Sequence, residues 1–187
     1  MKKRKIVFFD RDGVVNIEDT PYGYQIETFY FAPNFVELFL ELKKQDAICI
    51  LVTNQSGINR GIFTQKDFEI LSNFMQNCIK SCLMIPLRQS GFMPKNISFD
   101  GIYFCPHIKE DNCSCRKPKS GMLENALKDF GLELSNYNSF IIGDKDTDMQ
   151  AGLNVGVETR IFIGEDEAPN ATHTVKNLKE AMPILLG

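Results

Sequence analysis

The stretch from residue 5 to residue 16 limits the fold of this chain more than any other. Residues 6–9 are all apolar, the pattern of a fully buried strand in a parallel sheet, and Lys5 is expected at the solvent-exposed start of that strand. The strand runs directly into Asp10, and Asp12 follows two residues later. Because open parallel sheets bind ligands beyond the carboxyl ends of their strands, we expect both carboxylates to project into a binding crevice.

Two carboxylates at the end of a strand can serve chemistry in two ways. One can bind a hard cation such as Mg²⁺, which prefers oxygen ligands, and can also attack an electrophile. The other can exchange a proton with a leaving group. Asp10 and Asp12 alone leave a second interpretation open, in which both residues only form a turn or cap a helix. Matching polar groups after later strands favour the functional interpretation.

The overall composition predicts a single globular domain, residues 1–187. The chain has 187 residues, of which 43% are hydrophobic, so it can bury one sizeable core. Its net charge of −3 and the lack of a strongly basic tract argue against nucleic acid or an anionic membrane as a partner. The apolar run after the basic start is too short for a signal peptide, and no run is long enough to cross a bilayer. We expect a cytoplasmic protein that acts as a monomer.

A second buried strand, predicted over residues 47–52, is followed by short polar residues. These are Thr53, Asn54, Gln55 and Ser56. Hydroxyls, side-chain amides and free backbone N–H groups at the end of a strand suit the oxygens of a phosphate group. An ordinary turn with helix capping would explain the same residues when they are taken alone.

A third buried strand, predicted over residues 139–143, leads into an acidic run. Asp144 comes first, and it would complete a Mg²⁺ site with Asp10 because both residues follow strands that should be neighbours in the sheet. Asp148 has two interpretations, either binding the metal through water or holding loops in place. Asp146 is predicted to cap the helix that follows.

The six cysteines are unevenly distributed, and three of them lie with a histidine within eleven residues. Cys105, His107, Cys113 and Cys115 supply three thiolates and an imidazole, the ligand set of a closed tetrahedral zinc site. In a reducing compartment such a cluster indicates metal binding rather than disulfides. Four protein ligands leave no open position for a substrate, so we expect a structural zinc that holds the loop of residues 105–115.

Two basic residues, Arg116 and Lys117, directly follow the last of these cysteines. Fixed beside a metal-held loop at the same crevice, their guanidinium and ammonium groups suit the recognition of phosphate oxygens. The alternative is a pair of solvated surface charges, but their attachment to Cys115 favours the functional interpretation.

Strands and helices alternate along the chain, which predicts an α/β protein with a parallel sheet covered on both faces. Residues 17–31 are predicted as a loop or small hairpin over the crevice, and residues 81–96 as an insertion or extended loop. His173 is expected in a short edge strand, and Phe130 is expected to face the core at the end of a helix. Further helices are expected from Pro33, from the cap pair Thr64 and Asp67, from Gly121 and from the cap Asn177.

Four of these segments resemble the sequence motifs of the haloacid dehalogenase superfamily of phosphotransferases. They are Asp10-Arg11-Asp12-Gly13, Thr53-Asn54, Lys117 and Gly143-Asp144. The resemblance covers the whole chain and implies a Rossmann-like, doubly wound parallel sheet without a large cap domain. The zinc cluster followed by Arg116-Lys117-Pro118 is similar to the branch that contains heptose-bisphosphate and histidinol-phosphate phosphatases.

The resemblance also implies a mechanism. Asp10 would attack phosphorus to form an aspartyl-phosphate, and Asp12 would protonate the leaving oxygen and then activate water. Mg²⁺ would be held by the Asp10 side chain, the Asp12 backbone carbonyl and Asp144. Thr53, Asn54 and Lys117 would stabilise the transferring phosphoryl group. The implied contacts to substrate are Asp10, Arg11, Asp12, Thr53, Asn54, Gln55, Ser56, Arg116, Lys117 and Lys145.

The substrate that the resemblance implies is a small phosphorylated sugar, D-glycero-D-manno-heptose 1,7-bisphosphate, hydrolysed at its 7-position. Histidinol phosphate or another small sugar phosphate is the alternative. A more distant alternative is a phosphoacceptor signalling domain, in which the phosphorylated aspartate is the output. Asp12 argues against that alternative, because a built-in acid and base favours turnover.

Overall fold

The computed structural model describes residues 3–18 and 22–187, and within these ranges six parallel strands form one sheet. The strand order is β3-β2-β1-β4-β5-β6. The strands are β1 (Arg4–Phe9), β2 (Ile48–Asn54), β3 (Gly101–Cys105), β4 (Tyr137–Gly143), β5 (Thr159–Ile163) and β6 (His173–Val175). The predicted α/β class and the parallel sheet are confirmed.

Helices cover both faces of the sheet, as in a doubly wound fold. Helices α1, α2 and α5 pack on one face, and α3 and α4 pack on the other. Among the helices of the described ranges, none combines the length and apolar character needed to span a bilayer. The helices are α1 (Phe35–Lys44), α2 (Gln65–Gln89), α3 (Gly121–Asp129), α4 (Asp146–Val155) and α5 (Leu178–Leu186).

Strand β1 is apolar from Ile6 to Phe9, where it is buried on both faces. Successive side chains of a strand point to opposite faces, so Ile6 and Phe8 join one core and Val7 and Phe9 join the other. The second core is rich in aromatic rings, with centroid separations of 4.8 to 6.2 Å among Phe9, Phe35, Phe39 and Phe99. The prediction that Lys5 is solvent-exposed is wrong: it is 4% exposed, and its ammonium donates to Gln45 Oε1 at 2.7 Å.

The structure also corrects the prediction for residues 81–96. Helix α2 continues through residues 81–89, where the sequence predicts a loop or insertion. Leu83 and Leu87 extend the apolar stripe of the helix and are fully buried. Their burial outweighs the backbone hydrogen bond that Pro86, inside the last turns, cannot make.

Most of the remaining predictions concern residues at the ends of helices. The Thr64 cap is confirmed, because its hydroxyl accepts from the Asp67 backbone N–H and the Asp67 carboxylate accepts from the Thr64 N–H. Asn177 caps α5 as predicted. Phe130, predicted to face the core, lies just beyond α3 and is 40% exposed. Asp146 is the first residue of α4 rather than its cap, and its carboxylate accepts from Asn170.

The segment after β1 is a loop that contains a short 3₁₀ turn, Ile26–Thr28. Asn16 forms an isolated antiparallel bridge with Phe31, so the segment folds back toward its own start. This fits the predicted loop or hairpin, although residues 19–21 of that prediction lie outside the described residues.

The direction of strand addition reverses beside β1. The chain moves outward from β1 to β2 and β3, and it then crosses to β4 on the other side of β1. Such a reversal opens a crevice at the carboxyl ends of the two central strands. Asp10, directly after β1, and Asp144, directly after β4, are therefore placed side by side.

Candidate active site

A cavity of about 460 Å³ opens at the carboxyl ends of β1, β2 and β4. Nine residues that the sequence predicts as site residues line it, from four separate segments of the chain. They are Asp10, Asp12, Thr53, Asn54, Gln55, Ser56, Arg116, Lys117 and Lys145. The fold thus brings the predicted phosphate-binding and acidic groups to one opening.

Three carboxylates meet beside this cavity, and two of them, Asp10 and Asp148, line it. Oxygen atoms of Asp10, Asp144 and Asp148 all lie within 4.8 Å of one another. Asp144 Oδ1 is buried and has no hydrogen-bond partner. Burial, followed by the charge of Asp10, raises the pKa of Asp144 to about 6. An orphaned carboxylate oxygen among oxygen ligands fits a hard divalent cation, and these residues could hold Mg²⁺.

Gly13 makes this approach of strands possible. Its φ of +80° lies in the left-handed region, and a Cβ at this position would stand 2.5 Å from Asp144 Oδ2. A side chain at residue 13 would therefore both strain the turn and displace the Asp144 carboxylate.

Lys117 supplies a buried positive charge to the carboxylates. Its ammonium lies 2.9 Å from Asp10 Oδ1 and 2.6 Å from Asp148 Oδ1, and it donates to the Val52 carbonyl at 2.8 Å. Burial alone would lower the pKa of Lys117, but the charges of Asp10 and Asp148 raise it above its ordinary value. Asp148, which is fully buried, thus holds Lys117 beside Asp10.

Asp12 is held on both oxygens of its carboxylate. Arg11 donates to Oδ1 and Oδ2 at 3.0 Å each, Asn16 donates to Oδ1 at 3.2 Å, and Gln55 donates to Oδ2 at 3.0 Å. Burial would raise the pKa of Asp12, but Arg11 and the other two donors together lower it. The Arg11 side chain is itself buried and does not line the cavity.

The polar residues at the end of β2 have different roles. The Asn54 side chain accepts from the Lys117 backbone N–H at 3.1 Å and donates to the Lys117 carbonyl at 3.2 Å. Asn54 thus fastens the lysine segment to β2. The Thr53 hydroxyl accepts from Gln55 at 2.9 Å and is almost completely buried at the wall of the cavity.

Lys145 stands at the cavity rim and is half exposed. Its ammonium lies 3.3 Å from Asp144 and 3.4 Å from Glu18. Burial lowers the pKa of Lys145, and the charges of Asp144, Asp10 and Glu18 raise it by more. The residue therefore remains a cation beside the opening.

The predicted zinc ligands come together in one cluster. Their ligand atoms lie within 4.8 Å of one another, with sulfur–sulfur distances of 3.2 to 3.6 Å and sulfur–Nδ1 distances of 3.3 and 3.6 Å. Three sulfurs and one imidazole at this spacing fit a tetrahedral Zn²⁺ with no open position. The cluster consists of Cys105, His107, Cys113 and Cys115.

The cluster is tied to the cavity by hydrogen bonds. The Gln55 backbone N–H donates to the Cys105 carbonyl at 2.7 Å, and Arg116 Nη1 donates to the His107 carbonyl at 3.0 Å. Lys117 follows Cys115 by two residues. The position of the buried ammonium therefore depends on the conformation of this loop.

Comparison with known proteins identifies the family of this chain. Residues 114–181 match the profile of a protein family described as HAD-hydrolase-like. The chain is also 42% identical over 178 residues to the D-glycero-beta-D-manno-heptose-1,7-bisphosphate 7-phosphatase of Helicobacter pylori (strain J99), covering 94% of each protein. The chain belongs to the haloacid dehalogenase-like phosphatases. The family resemblance inferred from the four motifs is confirmed, and this haloacid dehalogenase-like phosphatase is a phosphoric monoester hydrolase.

Two further proteins resemble this haloacid dehalogenase-like phosphatase along nearly its whole length. The D-glycero-alpha-D-manno-heptose-1,7-bisphosphate 7-phosphatase of Campylobacter jejuni is 40% identical over 181 residues, with 96% of this chain and 95% of that protein covered. The crystal structure of the D,D-heptose 1,7-bisphosphate phosphatase of B. bronchiseptica, complexed with magnesium and phosphate, matches with a TM-score of 0.77 and 26% identity, covering 97% of this chain and 98% of that one. The predicted fold is confirmed, and no large cap domain interrupts the described residues.

The sequence does not predict all the cavity residues of this haloacid dehalogenase-like phosphatase as site residues. Glu18 and Tyr22 line the cavity from the segment that the sequence predicts over the crevice, and Thr147 lines it from the acidic run after β4, although none of the three is predicted as a site residue. The sequence gives Asp148 two interpretations, as a water-mediated metal ligand or as a residue that holds loops in place. The signal that it pairs with Lys117 is its position in the first turn of α4, because helical side chains lean toward the N-terminus of their helix, which here lies at the strand ends.

Proposed function

We propose that this chain is a Mg²⁺-dependent phosphatase that removes the 7-phosphate of D-glycero-D-manno-heptose 1,7-bisphosphate. The observation that carries the proposal is the convergence of Asp10, Asp144 and Lys117 at one open cavity. The substrate is supported by relatives at 40% and 42% identity that are named for this reaction. We further propose that the chain works as a cytoplasmic, single-domain monomer.

The first half-reaction transfers the phosphoryl group to the protein. An oxygen of Asp10 attacks phosphorus, the bond from phosphorus to the sugar oxygen breaks, and an aspartyl-phosphate forms. The sugar oxygen takes its proton from Asp12. Thr53 and Lys117 face the transferring oxygens, and one well-aimed donor of this kind is worth about 3 to 4 kcal/mol.

The second half-reaction releases phosphate. Asp12, now a carboxylate, takes a proton from water, whose oxygen attacks phosphorus and breaks the bond to Asp10. The donors around Asp12 lower its pKa, which favours the ionised form that this step requires. Negative charge on a bound substrate acts in the opposite direction and favours the protonated form that the first step requires.

The two metals have separate tasks in this proposal. The residues that would hold Mg²⁺ are Asp10, Asp144 and the backbone carbonyl of Asp12, and the cation would offset the repulsion between carboxylate and phosphate. Zn²⁺ would be held by the three cysteines and His107, and it would keep Arg116 and Lys117 in place. Arg116 and Lys145, both at the cavity, would contact the second phosphate of the substrate.

A direct comparison of substrates tests the proposed function. Phosphate release with Mg²⁺ is measured for the α and β anomers of heptose 1,7-bisphosphate, because relatives are named for either anomer. Histidinol phosphate is the competing substrate. We expect kcat/KM for one heptose anomer to exceed that for histidinol phosphate by at least about 100-fold, because Arg116 and Lys145 would contact a second phosphate that histidinol phosphate lacks. Preference for histidinol phosphate, or a single phosphorylation without turnover, would contradict the proposal.

Loss of zinc is expected to damage the site more than the core. In Cys113→Ser the thiolate is lost, so the loop that carries Arg116 and Lys117 loosens, and we expect activity to fall about 10- to 100-fold, mainly through a higher KM. Bound zinc, KM and thermal unfolding are measured together. The matched control is Cys82→Ser, an exposed cysteine outside the cluster, which should retain zinc and activity. Full activity in Cys113→Ser shown to contain no zinc would exclude a supporting role for the metal.

A further inference from the structure

Gln55 lies against the cavity, yet its side chain is fully engaged with the protein. It is 4% exposed. Its amide nitrogen donates to Asp12 Oδ2 at 3.0 Å and to Thr53 Oγ1 at 2.9 Å, and its amide oxygen accepts from Arg11 Nη2 at 3.2 Å. An amide nitrogen has two N–H groups, so no donor remains for a ligand. A direct contact from this side chain to substrate, as the sequence predicts, is therefore disfavoured.

The same amide joins two groups with different tasks in the proposed reaction. Asp12 exchanges the proton, whereas Thr53 faces the phosphoryl group. Arg11 and Asn16 also hold Asp12, but neither has a hydrogen bond to Thr53 among the described residues. Gln55 is thus the residue that fixes the distance between the proton donor and the phosphate-binding wall.

The backbone of Gln55 is fixed as firmly as its side chain. Its N–H donates to the carbonyl of Cys105, at the end of β3, at 2.7 Å. Bonds at both ends of a residue leave few alternative rotamers, so the amide can hold a neighbour in one geometry. Rigid placement matters because a general acid must lie within hydrogen-bond reach of the oxygen that it protonates.

We propose that Gln55 is a positioning residue that aims the Asp12 carboxyl at the leaving oxygen of the substrate. The inference rests on the proposed function of Asp12 as acid and base. In the first half-reaction the Asp10 oxygen forms a bond to phosphorus, the bond from phosphorus to the leaving oxygen breaks, and the Asp12 proton moves to that oxygen. Without Gln55 the Asp12 carboxyl loses the hydrogen bond that fixes it relative to Thr53, so we expect only reactions that need a proton from Asp12 to be slowed.

Leaving groups of different basicity test the proposal. Gln55→Met keeps the length of the side chain and removes its donors and acceptor. We expect kcat/KM to fall about 100-fold for a sugar phosphate, whose alkoxide needs a proton, with KM little changed. For p-nitrophenyl phosphate, whose leaving phenolate needs none, kcat/KM should stay within about threefold of the parent value. Since kcat/KM covers steps up to the first irreversible one, it isolates the transfer to Asp10.

Other roles for Gln55 would change kcat/KM and KM for the two esters in different ways. A substrate contact would raise KM for both esters, and a general structural role would lower kcat/KM for both by the same factor; either result overturns the proposal. The double variant with Asp12→Asn should lose no more activity toward the sugar phosphate than Asp12→Asn alone, and additive losses would contradict the inference. Gln55→Leu, which removes the same donors and acceptor without adding a charge, should show the same leaving-group dependence if Gln55→Met folds poorly.

The failure of this inference is separable from failure of the proposed function. The parent protein is first assayed on heptose bisphosphate, which tests the function alone. If it prefers another alkyl phosphate, that ester replaces the heptose in the comparison, because the inference depends on the basicity of the leaving oxygen and not on the sugar.

Discussion

The Asp10→Asn variant is expected to fold normally and to release phosphate at least about 10⁴-fold more slowly than the parent protein. An amide oxygen is a poor nucleophile, so the aspartyl-phosphate cannot form. The fold should survive because Lys117 keeps its second partner, Asp148, at 2.6 Å. Phosphate release and thermal unfolding are measured on the same preparation, with mass spectrometry to show that the asparagine has not reverted to aspartate.

Asp166→Asn is the matched control, since it makes the same chemical change at an exposed carboxylate remote from the site residues in sequence. It should retain the parent rate. Turnover by Asp10→Asn within tenfold of the parent value, in protein shown to contain the amide, would remove Asp10 as the nucleophile.

The Lys117→Met variant is expected to lose both activity and stability. The ammonium is the cation within 3 Å of both Asp10 and Asp148, so its removal leaves two buried carboxylates facing each other. Breaking a buried pair in this way costs about 3 to 5 kcal/mol in the free energy of unfolding. We expect kcat to fall about 100- to 1,000-fold, because the transferring phosphoryl group loses its fixed positive charge.

A second substitution separates the two effects. Lys117→Met with Asp148→Asn removes one of the stranded charges, so stability should recover while activity stays low. Lys119→Met, at an exposed lysine that bonds to Asn112, is the control and should change neither property. Unfolding by denaturant and steady-state kinetics check these results, and normal kcat in Lys117→Met would contradict its role in phosphoryl transfer.

The positions of the main site residues could be predicted from the sequence because they follow buried strands. Parallel strands end at one edge of a sheet, so apolar runs that lead to Asp10, Thr53 and Asp144 are enough to place these residues together. The zinc ligands could also be predicted from the sequence, since the type and spacing of the ligands can be read without tertiary information. These predictions depend only on local pattern and sheet geometry.

The partners of individual side chains could not be predicted in the same way. Arg11 and Gln55 stand in motifs whose neighbours face the cavity, yet both turn toward Asp12, a choice made by burial and hydrogen bonding in three dimensions. Asn54 likewise bonds to the backbone of a residue far along the chain. The continuation of α2 depends on a core that covers Leu83 and Leu87, whereas local sequence around Pro86 favours a break.

The pairing of β1 with β4 has a consequence for protein synthesis. Strand β1, which ends at Phe9, leaves the ribosome before β4, which begins at Tyr137. A nascent chain therefore carries Asp10, the proposed nucleophile, long before it carries Asp144 and Asp148, and domains acquire their tertiary contacts only when all their segments are available. We therefore expect the growing polypeptide to lack phosphatase activity until β4 emerges, and fragments from translation that stops early to be inactive.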